Sequence, residues 1–135
     1  MTSLRSTHAV FALFAFGLGI LPFEAQGTSN YEYKPDEFVV IAEGRSPDGK
    51  YSIAAHGEGD LGDDNFHLYL MDAQTGRMIG ALEEVKDPLD TGADAFRAKW
   101  TADSRRVSIT YRVDRREMRT VTYRIENGRA TRVKS

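Results

Sequence analysis

The sequence predicts an all-β domain, and three observations on residues 38–135 lead to this prediction. Apolar and β-branched residues alternate with polar residues in short runs, which is the pattern of half-buried strands. Gly, Pro, Asn and Asp separate these runs at positions typical of tight turns. The same order of runs and turns occurs twice along the chain. Beyond the N-terminal apolar stretch, only residues 81–85 show a modest helical tendency.

Eight segments have the composition of strands. They are residues 38–41, 51–56, 66–71, 78–82, 96–100, 107–113, 121–125 and 130–133. Tight turns are predicted at 47–49, 74–76 and 126–128, where Pro-Asp-Gly, Gln-Thr-Gly and Glu-Asn-Gly supply residues that tolerate positive φ. The strands therefore fall into two sets of four.

The first 25 residues have the features of a secretory signal peptide. Arg5 precedes an apolar run at 9–21, and Pro22 is followed by a small residue, Ala25, at the expected cleavage site. This run is too short to span a membrane, since a spanning helix needs about 20 residues. We therefore predict a periplasmic or secreted protein with no stable membrane insertion after cleavage. Residues 26–37 are expected to form a linker or an extra strand.

The charge is unevenly distributed, although the whole chain carries only −2. Residues 26–94 contain five Lys or Arg and fifteen Asp or Glu, a net −10, whereas residues 95–135 contain twelve and four, a net +8. Two solvated surfaces of one domain, a polar partner and head-to-tail self-association all fit this split. Export and the acidic half argue against a nucleic-acid partner. The chain has no cysteine, which excludes disulfides and thiolate chemistry.

The two sets of strands share a turn sequence. Ser-Pro-Asp-Gly-Lys at 46–50 aligns with Thr-Ala-Asp-Ser-Arg at 101–105, at an offset of 55 residues, and an alternating strand follows each. Leu-Tyr-Leu-Met-Asp at 68–72 comes after the first of them. An SPDG turn with such a strand behind it resembles the TolB-type propeller repeat. The second unit is the weaker match, because Ala102 and Ser104 replace Pro and Gly.

This resemblance implies two propeller-blade-like units, at about 38–86 and 95–135, each a four-stranded antiparallel sheet. Closed propellers have typically about 4–8 blades, so two units cannot close a ring. We expect the two sheets to pack together in a sandwich or an incomplete-propeller arrangement; a ring completed by several chains is the alternative. Trp100 is expected to be buried between the sheets. The predicted core residues are Tyr51, Ile53, Leu68, Leu70, Phe96, Trp100, Val107, Ile109, Tyr123 and Ile125.

Two acidic loops are the candidate functional region. The candidates in the first loop and its flanks are His56, Glu58, Asp60, Asp63, Asp64 and His67, and those in the second are Asp87, Asp90 and Asp94. Carboxylates on a Gly-rich loop suit calcium, and two histidines with carboxylates suit zinc. The spacing does not match an EF-hand, and a solvated hairpin loop has the same composition. By analogy with propeller blades, both loops should lie on one face.

We expect a non-catalytic binding or interaction module with a protein partner in the cell envelope. The alternatives are a protein that binds a divalent metal, calcium, through these loops, and a hydrolase that uses their carboxylates. The sequence contains no G-x-S-x-G, H-E-x-x-H or Walker-type motif. Ser52, His56 and Asp60 supply the residue types of a catalytic triad, but such residues are too common to be evidence. No cofactor is expected, with calcium as the exception if the loops bind metal.

Overall fold

The computed structural model describes residues 31–83 and 85–134, and the predicted signal peptide lies outside them. Eight strands confirm the all-β prediction. Their bounds are β1 Val39–Arg45, β2 Tyr51–Glu58, β3 Asp64–Asp72, β4 Met78–Ala81, β5 Phe96–Trp100, β6 Arg106–Arg112, β7 Met118–Glu126 and β8 Arg129–Arg132. The helical elements of this part of the chain are two short 3-10 turns, Asp60–Gly62 and Ala93–Ala95. No helix among these residues has the length and apolar character needed to cross a membrane.

All eight strands belong to one sheet, in the order β4-β3-β2-β1-β5-β6-β7-β8. Each half is an antiparallel run of four strands, but the expectation of two separate sheets packed together is wrong. The first strands of the two halves pair in parallel, with Ala42 opposite Arg97, so hydrogen bonding continues from one half into the other. The continuous sheet curls until it nearly closes into a barrel, with β4 and β8 at its free edges.

The apolar core fills the inside of this barrel. Successive side chains of a strand point to opposite faces, so the period of two decides which residues are buried. The predicted core residues that are buried are Ile53, Leu68, Leu70, Phe96, Val107, Ile109, Tyr123 and Ile125. Tyr51 and Trp100, each at the end of a strand, are only partly buried and pack against the core. The Trp100 indole Nε1 donates a hydrogen bond to the Gly44 carbonyl (3.0 Å), which keeps the ring at the barrel rim.

The two turns that align in the sequence have the same geometry. The Asp48 carboxylate accepts hydrogen bonds from the Ser46 hydroxyl and from the backbone N–H two residues on. Asp103 accepts the equivalent pair in the second turn. Gly49 and Ser104, at matching positions, both have positive φ, 75° and 61°. The turns also touch, since Asp48 N–H donates to the Ser104 hydroxyl (3.0 Å).

The aligned strands behind these turns face opposite sides of the sheet. Ile53 points into the core, whereas its counterpart at offset 55, Ser108, lies on the outer face. Ser52 lies on the outer face, and its counterpart Val107 points inward. The second half is therefore turned over relative to the first, and the two halves present different chemistry to solvent. Phe38, Val40 and Tyr69 lie on the outer side of the first half, and Arg and Thr residues on that of the second.

The barrel has two unlike ends. Four tight turns, at 46–50, 73–77, 101–105 and 127–128, occupy one end. The other, which we call the loop end, is formed by residues 31–38, 59–63, 82–83, 85–95 and 113–117. Residues 31–38, where a linker or an extra strand is predicted, form no strand and pack at the loop end through buried Tyr33.

Candidate recognition surface at the loop end

Three segments are fastened together at the loop end. The Thr91 hydroxyl, in the β4–β5 connection, donates a hydrogen bond to the carbonyl of Leu61 in the β2–β3 connection (2.9 Å). The Tyr33 hydroxyl donates one to the Thr91 carbonyl (2.5 Å). Burial raises the pKa of Tyr33, so its hydroxyl keeps the proton that this bond needs. The two acidic loops therefore lie side by side, and the N-terminal segment holds them in place.

Leu61 has an unfavourable backbone conformation. Its φ is 63°, in the left-handed region, which costs a residue other than glycine about 1–2 kcal/mol. Gly62 follows directly and lies so close to the Tyr31 carbonyl and the Tyr33 ring that a side chain would not fit there. The Leu61 side chain is 50 % exposed. Since burial of this side chain does not compensate the strain, its orientation towards solvent suggests a function.

Two further apolar side chains are exposed on the segments that these hydrogen bonds join. Tyr31, 41 % exposed, packs edge-on against the Tyr33 ring with centroids 4.7 Å apart. Its hydroxyl donates to a carboxylate oxygen of Glu37 (2.8 Å), which limits its motion. Leu89, also 41 % exposed, lies two residues before Thr91. An apolar centre on loops of a rigid scaffold is an arrangement found in protein interfaces.

The predicted acidic residues lie on the same two loops or at the ends of the strands beside them. Glu58, Asp60, Asp63, Asp64, Asp87 and Asp94 are exposed, and Asp90 is partly buried. Within residues 31–83 and 85–134 the salt bridges join other residues, Arg97 to Glu43 and Arg124 to Glu126. In the same part of the chain, no three His, Asp or Glu side chains converge to hold a metal ion. The calcium or zinc site considered from the sequence therefore stays a prediction.

The two candidate histidines lie on the outer face of β2 and β3, opposite each other in the strand ladder. His56 is buried; its Nδ1 donates to the Glu37 carbonyl (2.5 Å), and its ring stacks on Phe38 with centroids 4.5 Å apart. His67 is exposed and meets the Tyr69 ring edge-on at 5.9 Å. His56 therefore fixes the segment before β1 onto the sheet, and neither histidine belongs to the apolar centre.

The triad considered from the sequence is not assembled. Ser52 and His56 are both on β2, four residues apart, which corresponds to about 13 Å along a strand. Asp60 lies beyond the end of that strand, in a 3-10 turn. A triad needs its hydroxyl, imidazole and carboxylate within hydrogen-bonding distance of one another, and these three residues do not meet that condition.

The end of β6 borders the acidic β4–β5 connection. The Leu89 N–H donates to the carbonyl of Arg112 (2.8 Å), so this connection runs along the end of β6. A groove of about 270 Å³ between them is lined by Asp90 and Asp94 on one side and Arg112 on the other. The loop that follows has no net charge, because Asp114 and Glu117 balance Arg115 and Arg116. On this side Arg112 is therefore the cation that partly balances the acidic residues.

Sequence reasoning missed the apolar residues of this surface, Tyr31, Leu61 and Leu89, and the residue that joins the loops, Thr91. A signal for Leu61 was present. It is the single apolar residue in the loop Gly-Glu-Gly-Asp-Leu-Gly-Asp-Asp-Asn, whose three glycines and four acids predict exposure.

Comparison of this chain with known protein families, with curated proteins and with solved structures gave no match. The resemblance to the TolB-type repeat therefore stays a prediction that rests on its turn and strand residues. The geometry of the loop end is the basis for assigning a function.

Proposed function

We propose that this chain is an exported, non-catalytic binding module of the cell envelope, and that it recognises a protein partner through the loop end. The observation that carries the proposal is the presentation of Leu61 to solvent, in a strained conformation, by two loops that are fastened together. Rigid presentation of an apolar side chain reduces the entropy lost on association. The predicted signal peptide supports export, and the resemblance to a propeller repeat supports a scaffold without catalysis.

The chemistry of the surface indicates what the partner offers. Leu61, Tyr31 and Leu89 would fill an apolar depression, since the buried centre of an interface is more apolar than its polar rim. The exposed carboxylates around them would face Lys or Arg residues of the partner. Rim charges of this kind mainly raise the association rate, so binding should weaken as salt increases.

Replacing Leu61 with glycine separates recognition from folding. The variant removes the apolar side chain and also the strain, because glycine accepts positive φ. We expect the free energy of unfolding to stay unchanged or to rise, while partner binding falls more than fivefold. The matched control is Asn127→Gly, which relieves a φ of 52° at the opposite end of the barrel and should leave binding unchanged.

The partner can be captured with a photo-crosslinking residue in place of Asp63, in cells that express the full chain. We expect one envelope protein to crosslink, and the adduct to disappear with Leu61→Gly but to persist with Asn127→Gly. No adduct, or an adduct that survives Leu61→Gly at equal yield, would contradict the proposal. An adduct between two copies of this chain would replace the protein partner with self-association.

A further inference from the structure

The outer face of β5–β7 is strongly basic. Alternate residues of these strands point away from the core, which places five cationic side chains on this face: Arg97, Lys99, Arg106, Arg112 and Arg124. Arg97 has an exposed salt bridge with Glu43 (3.2 Å), which is weak in water. The sequence showed an excess of positive charge in residues 95–135, and the fold collects much of it on one surface.

Two of these arginines are direct neighbours. Arg106 and Arg124 lie opposite each other in the β6–β7 ladder. Like charges at such positions destabilise a sheet unless a counter-charge lies nearby. Arg124 has a counter-charge in Glu126, whose exposed carboxylate is 3.7 Å from Arg124 Nε. In the described chain no salt bridge joins Arg106 to a carboxylate, so an anionic ligand would stabilise this pair.

A groove lies in this part of the face, next to Arg106 and Arg124. Its volume is about 740 Å³, and its lining includes Thr101, Arg105, Arg106, Arg124 and Asn127. Asp103 and Glu126 also line it, so three guanidinium groups face two carboxylates and the groove keeps a net positive charge. The Asp103 carboxylate accepts hydrogen bonds within its own turn, from the Thr101 hydroxyl (2.7 Å) and from Arg105 N–H (3.0 Å).

Beyond the groove the face continues as a ladder of hydroxyl groups. The Ser108 and Thr122 hydroxyls are 2.8 Å apart, and those of Thr110 and Thr120 are 2.9 Å apart. Each hydroxyl group can both donate and accept, so the ladder can also bond to hydroxyl-rich ligands. In the described chain, the outward positions of β5–β7 carry no aromatic side chain on which a nucleic-acid base could stack.

We infer that this face binds an anionic polysaccharide that bears sulfate or phosphate groups. The arginines would contact the anionic groups, with the groove at Arg106 and Arg124 as the main site. The hydroxyl ladder would contact the sugar hydroxyls. This site is separate from the loop end, so it does not depend on the proposed protein partner.

Heparin, a sulfated polysaccharide, is the probe, with its affinity measured by titration calorimetry at several salt concentrations. The variant Arg106→Gln/Arg124→Gln should weaken binding at least tenfold. It should also reduce the slope of log affinity against log salt by about two, roughly one per lost contact. The matched control Arg115→Gln/Arg116→Gln removes the same charge from the β6–β7 hairpin loop and should change the affinity less than twofold.

Stability provides a second measurement that does not need the ligand. Removal of the like-charged pair should leave the free energy of unfolding unchanged or raise it at low salt, so a loss of binding will not come from unfolding. No binding of heparin by the wild-type chain, or equal weakening in both double variants, would overturn the inference. Single-stranded DNA bound as tightly as heparin would also overturn it, in favour of unspecific attraction of polyanions.

Discussion

Replacing Gly62 with alanine should destabilise the loop end far more than the addition of one methyl group suggests. Its φ is 66°, and a Cβ would lie 2.4 Å from the Tyr31 carbonyl oxygen and 2.8 Å from the nearest ring atom of Tyr33. The left-handed conformation costs alanine about 1–2 kcal/mol. Overpacking against backbone and a buried ring adds about 1–3 kcal/mol. We expect a total loss of about 2–5 kcal/mol, a large part of the stability of a small domain.

Gly76→Ala is the matched control, because Gly76 has a φ of 77° and a Cβ there would meet nothing within 4 Å. It should lower the free energy of unfolding by about 1–2 kcal/mol, from the backbone conformation alone. Urea denaturation followed by Trp100 fluorescence measures both variants. The difference between the two losses of unfolding free energy measures the contact of the N-terminal segment with the β2–β3 connection. Equal losses in the two variants would refute the close packing of Gly62 beneath Tyr31 and Tyr33.

Two further predictions follow from the turns and the barrel rim. Trp100→Phe keeps an aromatic ring but removes the donor to the Gly44 carbonyl, so the free energy of unfolding should fall by about 1–3 kcal/mol. Because the variant lacks the single tryptophan, its urea denaturation is followed by circular dichroism, and an unchanged midpoint would contradict this role. Hydrogen bonds from Ser46 and Thr101 hold the pKa of Asp48 and of Asp103 below its ordinary value. This stabilisation is present above about pH 4 and is lost as the pH falls through the lowered pKa values. The melting temperature of Asp48→Asn/Asp103→Asn should therefore fall less between about pH 4 and pH 2 than that of the wild type, and equal slopes would argue against it.

The strands and turns could be predicted because their signals are local. Val107, Ile109 and Tyr111 alternate with polar residues and point into the core. The turn sequences at 46–50 and 101–105 carry the Asp and the positive-φ position that their geometry requires. Where one face of a strand is buried and the other is exposed to solvent, the sequence pattern and the structure agree.

The arrangement of the two halves could not be predicted, because it depends on a contact without a local signature. The pairing of Ala42 with Arg97 joins strands that are 55 residues apart, and neither residue type favours a parallel neighbour. In the first half both faces of β2 are buried, so Ser52 and His56 gave no indication of which side is the inside. The same ambiguity made His56 a ligand candidate, although aromatic rings and a backbone carbonyl surround it.

The single parallel junction between β1 and β5 also determines which part of the core stays exposed longest while the chain folds. Every other pair of neighbouring strands is adjacent in sequence, so the first four strands can pair with one another without the second half. Their inward side chains, such as Leu68 and Leu70, then have no cover until β5–β7 join the sheet. An open sheet with an uncovered apolar face and a free edge is prone to aggregate. The interval between formation of the two halves is therefore when this chain most needs a chaperone.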